Sequence, residues 1–126
     1  MAIHSRGALL LSAVVVLGLA GCAETVVTPG DPGFVALSNG DYEKARDAFV
    51  VEYAAHPNDP FVQLDLGLAY QNLGRMDLAE PLYRQVMVDG RGVVPMTTTT
   101  NQSAGMPLDQ IACRNLKVGL HNPNAC

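Results

Sequence analysis

The chain has no run of basic residues. Its 126 residues carry eight Lys and Arg against twelve Asp and Glu, a formal charge of −4. An acidic balance disfavours attraction to phosphate backbones, so no nucleic-acid partner is expected. There is no Gly-x-Ser-x-Gly elbow, no Walker-type phosphate loop and no Cys/His pair placed as nucleophile and base. Gly90-Arg91-Gly92 is a turn rather than a phosphate cradle. The paired acids Asp41/Glu43 and Glu43/Asp47 fall on the outside of a helix, where charge is normally solvated. Cysteine is scarce too. Cys113, His121 and Cys126 could offer three ligands, with His56 brought in from elsewhere, but the spacing fits no zinc pattern and a structural site needs four. The expectation is a protein that is not an enzyme, with no metal and no cofactor.

What is present begins at the N-terminus. Met1 to Arg6 carries one firm positive charge, and Gly7 to Gly18 is apolar apart from Ser12. Leu19-Ala20-Gly21-Cys22 follows. The layout is that of a secretory signal, too short to span a bilayer comfortably. Its ending resembles the lipobox of bacterial lipoproteins. That resemblance implies cleavage before Cys22, diacylglycerol on its sulfur and an acyl chain such as palmitate on the new N-terminus. Several acyl chains anchor stably. Ala23 stands where an Asp would imply retention at the inner membrane, so the expected address is the outer membrane, facing the periplasm. Loss of Arg6 leaves seven basic residues against twelve acidic, a formal −5.

The chain then repeats itself. Gly40-Asp41-Tyr42-Glu43-Lys44-Ala45 returns as Gly74-Arg75-Met76-Asp77-Leu78-Ala79, and Phe49 maps onto Tyr83 at the same offset. A period of 34, with small and aromatic residues in fixed places, marks helix–turn–helix repeats. Asp59-Pro60 opens a helix between them as N-cap and first residue. Leu66, Gly67, Tyr70 and Leu73 form its packing stripe, and a residue without a side chain at Gly67 lets the next helix approach closely.

Residues 60–91 are similar to a tetratricopeptide repeat: Leu66-Gly67 and Tyr70 match its first helix, Ala79 and Tyr83 its second. Ala45, Phe49 and Pro57 match the second helix of a preceding repeat. Glu52 and Val86 stand where that family prefers Ala, and Pro29, Pro32 and Gly33 occupy most of the missing first helix. The expected fold is all-α, a short helix–turn–helix array with a C-terminal capping helix. Residues 1–21 form the signal, 22–33 the lipidated Cys and a tether, 34–92 the repeat region and 93–126 a polar loop, the cap and a tail ending in Cys126.

The cap is carried by Leu108, Ile111, Ala112, Leu116 and Leu120, which share one face at helical offsets after Pro107. One and a half repeats is fewer than the three usually needed, so further burial must come from this helix, from a disulfide or from a partner. In an oxidising periplasm Cys113 and Cys126 can form one bridge, or stay as two free thiols. In the family the first helices line a concave groove. Here that implies Phe61, Leu64, Asp65, Leu68 and Gln71. Leu64 and Leu68 stand where carboxylate-clamping relatives carry Lys and Asn, so that clamp is absent. The groove is either open to an apolar partner segment or covered by residues 93–120. The functional expectation is an adaptor or assembly factor binding another envelope protein; the alternative is a structural component that binds a second copy of itself.

Replacing the lipobox cysteine, Cys22→Ala, should abolish acyl labelling and membrane fractionation in cells. Labelling that survives the change would sink the lipobox reading.

Overall fold

The computed structural model describes residues 31–96, 98 and 101–126. The signal, Cys22 and the tether as far as residue 30 lie outside the described residues. Five helices follow in order: α1 Pro32–Ser38, α2 Tyr42–Ala55, α3 Pro60–Asn72, α4 Met76–Asp89 and α5 Leu108–Gly119, with a 3-10 turn at Asn101–Ser103 before α5. No strand occurs among the described residues. The chain is all-α.

Two of these helices start the same way. Asp31 Oδ1 accepts from the amides of Gly33 (2.8 Å) and Phe34 (3.2 Å), and Asp59 Oδ1 accepts from Phe61 N (2.9 Å). Each Asp is followed by a proline in the first turn, where a missing N–H loses nothing. Residues 31–33, expected in the tether, are therefore the start of a folded helix. Pro32 does not break it, because a proline is compatible with a first turn and its fixed φ suits one. Gly33 is buried rather than hinge-like.

The ends of α1 and α3 also match. Gly40 and Gly74 adopt φ of 78° and 74°, a left-handed conformation that glycine reaches without steric cost. Gly40 N donates to Leu37 O and Asp41 N to Ala36 O; Gly74 N donates to Gln71 O and Arg75 N to Tyr70 O. Each residue of the second set stands one repeat period after its counterpart in the first. Such bonds satisfy the last carbonyls of the helix and turn the chain back sharply.

The returning helices bury corresponding residues. Ala45 and Phe49 of α2, and Ala79 and Tyr83 of α4, are fully inaccessible. A β-carbon built on Gly67 would lie 2.8 Å from Tyr83 Cε1, and one built on Gly33 would lie 2.9 Å from Phe49 Cε1. Both pairs are glycine against aromatic at the same offset. Pro81 lies beyond the first turn of α4 and is exposed. The bond it forfeits is to the carbonyl of exposed Asp77, which water can satisfy.

Each helix packs on the next, and α3 also touches α1 and α5. Two apolar clusters result. One joins Ala36, Leu37, Ala45, Phe49, Leu66, Ala69 and Leu82. The other joins Leu64, Ala79, Tyr83 and Val86 to Leu108, Ile111, Ala112 and Leu116 of α5. The start of α5 is tied back through Leu108 N to Val93 O (2.8 Å) and Gly92 N to Asp109 Oδ1 (3.1 Å). Residues 93–105, expected as an extended loop, include the 3-10 turn. Arg114 holds it by donating to Gln102 O (2.9 Å) and to Ser103 Oγ. The sulfurs of Cys113 and Cys126 lie at disulfide distance, with Cα atoms 5.7 Å apart, pinning the tail to α5. In the chain-entropy view a loop of this size contributes about 3 kcal/mol.

The Gly67 contact is directly testable. Tyr83 cannot swing aside freely, being fully buried with its hydroxyl donating to Gln71 Oε1 at 2.7 Å. Gly67→Ala should therefore destabilise by about 1–3 kcal/mol through overpacking, although Ala is the better helix former. Urea unfolding measures this; an unchanged or raised midpoint would show that α3 and α4 have room to spare.

Candidate functional site

The five residues expected to line the groove part company. Leu64 is 8% exposed and packs with Leu108, Ile111, Ala112 and Leu116; Phe61 is half-buried against the same cluster. Gln71 is held as the acceptor for Tyr83. So α5 covers this side of α3. Leu68 packs instead against the cluster of α1 and α2, and Asp65 belongs to a group of carboxylates on that side. The physical reason is burial: a short array gains more by filling its own apolar surface than by leaving it in water. Among the residues expected to pack the repeats, Ala45, Phe49, Leu66, Gly67, Ala79 and Tyr83 are buried, and half-buried Tyr70 touches both clusters. Burial pushes the Tyr83 hydroxyl well above the ordinary tyrosine range, so it stays a donor.

The carboxylate group gathers residues from three helices. Asp31 and Asp59 cap α1 and α3, Glu52 lies on α2 and Asp65 on α3. Both caps accept backbone amides. Glu52 and Asp65 behave differently. Burial is the main cause that lifts each to about 7, and the neighbouring acids add to it: a side-chain bond with Asp31 for Glu52, and the charges of Asp31, Glu52 and Asp59 for Asp65. Glu52 Oε2 is buried with no hydrogen-bond partner among the described residues. Retaining a proton and donating it toward Asp31 relieves that position. Two carboxyl groups that would repel thus keep their protons up to about pH 7, where ordinary carboxyls are already fully ionised, beside two that cap helices.

Between Asp59 and Asp65, at the N-terminal end of α3, Gln63 is fully buried. Its Nε2 donates to Pro57 O (2.7 Å) and Asp89 Oδ2 (3.1 Å), joining the α2–α3 turn to the end of α4. Bonds from Gln85 and Gln63 hold the Asp89 carboxyl below its usual range.

Asp31, Glu52 and Gln63 were not among the expected site residues. Glu52 stood out only as a departure from a preferred Ala. The signal for Asp31 was available: Asp31-Pro32 repeats the Asp59-Pro60 start, and Gly33 lies one repeat period ahead of Gly67. Gln63 carries no such signal, because its partners are brought together only by packing.

Among the described residues no three His, Cys, Asp or Glu are grouped to hold a metal ion, and no helix is long and apolar enough to cross a membrane. Compared with protein-family models, curated proteins and solved structures, the chain matches none.

A pH dependence follows from Glu52 and Asp65. Their folded values of about 7 exceed the ordinary 4.5 and 3.8. Between those values the folded state binds more protons than the unfolded, so stability falls as pH rises. The contribution is fully present below the ordinary carboxylate range and lost by the time pH passes about 7. Tm should decline from about pH 5 to about pH 8, and the double variant Glu52→Gln, Asp65→Asn should flatten that decline. An equally steep decline in the variant would show that the dependence arises elsewhere.

Proposed function

We propose that the chain is a periplasm-facing outer-membrane lipoprotein whose tetratricopeptide-like domain binds another envelope protein as an adaptor or assembly factor. The observation that carries the repeat assignment is the recurrence, at one fixed offset, of a glycine–aromatic contact and a helix-ending turn. Stacked helix pairs of this kind form scaffolds whose outer residues vary with the partner. The signal ending in Cys22 supports the anchor and the address.

With α5 seated on Phe61 and Leu64, the partner surface lies on other faces. Candidates are the α1–α3 side, where Leu68 and Asp65 remain, and the apolar residues exposed on α1 and α2, Val35, Val50 and Val51.

Photo-crosslinking residues placed singly at Val35, Val51 and Val118 sample α1, α2 and α5 in intact cells. A single envelope protein recovered from one face and not the others is the expected result. Recovery of nothing but the chain itself would overturn the adaptor reading in favour of self-association.

A further inference from the structure

The seven Lys and Arg of the described residues divide cleanly. Four are paired on their own helix or its cap: Lys44 with Asp41 at 3.3 Å, Arg46 with Asp47 at 2.7 Å, Arg75 with Asp77 at 2.8 Å and Arg84 with Glu80 at 2.7 Å. The other three, Arg91, Arg114 and Lys117, have no carboxylate partner among the described residues, and all three line one open cavity of about 440 Å³ between α4 and α5. In a chain with this acidic excess, convergence of the unpaired cations on one cavity calls for an explanation.

The cavity has two kinds of wall. Met87 and Met106 are half-buried and supply apolar, polarisable surface. The cations supply a local positive field. Asp109 is the one carboxylate in the lining, and its Oδ1 already accepts from Gly92 N. Arg114 spends donors on Gln102 O and Ser103 Oγ, which fixes its stem while leaving its charge unneutralised and further N–H groups to give. The cavity therefore includes a cation positioned by the fold itself, with two exposed cations, Arg91 and Lys117, also in its lining. A cavity of this size falls in the range that binds small molecules.

We propose that this cavity binds an anionic amphiphile, with a phosphate or carboxylate head on Arg91, Arg114 and Lys117 and an apolar chain against Met87 and Met106. Guanidinium groups match such oxyanions geometrically, and the methionine wall adapts to a flexible chain. The same chemistry belongs to an anionic lipid of the bilayer and to a soluble alkyl phosphate. The proposal is independent of the adaptor reading, which concerns other faces.

The test uses the full chain in phosphatidylcholine nanodiscs, with carbon-labelled methionine methyl groups observed by NMR. Hexyl phosphate should shift Met87 and Met106 saturably while leaving Met76, on the first turn of α4, in place. Inorganic phosphate should bind far more weakly. The double variant Arg91→Gln, Lys117→Gln changes two exposed side chains and should weaken hexyl phosphate about tenfold or more, the scale of a lost charge-assisted bond. No shift at Met87 and Met106, equal affinity for inorganic phosphate, or unchanged affinity in a folded double variant would each overturn the proposal. Replacing part of the phosphatidylcholine with phosphatidylglycerol separates the sources. Shifts at the same two methyl groups without hexyl phosphate uphold the site with a bilayer lipid as occupant; binding of hexyl phosphate alone upholds it for a soluble one.

Discussion

The approach of α3 to α4 rests on a side chain that is not there. Tyr83 occupies the space a β-carbon on Gly67 would need, and Phe49 does the same at Gly33. Close approach lets large aromatic faces bury completely, and such residues dominate the energetics of small cores. The turns at Gly40 and Gly74 then set the direction from which each second helix returns. Contact and turn are separate features of the sequence, yet they act together: the turn delivers the aromatic to the glycine. A helix pair built this way still exposes one apolar flank, which the following pair normally covers.

This chain covers that flank with α5. Leu108 and Leu116 are fully buried and Ile111 nearly so, against Leu64 and the α4 residues Ala79, Tyr83 and Val86. The helix is fixed at its start by backbone and Asp109 bonds to the segment after α4, and the Cys113–Cys126 pair holds the tail against its middle. A small domain thereby gains apolar burial that its first four helices alone would lack. The cost is the Phe61 and Leu64 side of α3, which α5 covers. The outer faces that remain are the carboxylate side of α1 to α3 and the cationic side of α4 and α5.

Charge is distributed along the same line. Asp31, Glu52, Asp59 and Asp65 meet in the first three helices and their caps, where burial raises two of them to titrate at about 7. Arg91, Arg114 and Lys117 meet around the cavity between α4 and α5. The acidic group is built from α1, α2 and α3, and the cationic one from α5 and Arg91, just after α4.

Sequence alone determined much of this molecule: the all-α class, the recurrence of Gly40 to Ala45 at Gly74 to Ala79, the Asp59-Pro60 start, the glycine turns and the apolar face of α5. All are local, depending on residues within a turn or two of one another or on direct self-comparison. The beginning of the fold at Asp31 was also written there, in a second Asp-Pro start and in Gly33, but two prolines and a glycine in a short span resemble a tether just as well. Tertiary structure decided the rest. Whether Leu64 faced a partner or the core depended on where α5 docked. Whether Glu52 and Asp65 were ordinary surface acids depended on three helices meeting around them, and Gln63 found Asp89 only across the α3–α4 contact. Periodicity states which residues share a face of one helix; which neighbour that face meets, and whether water is excluded there, is settled only when separate helices pack.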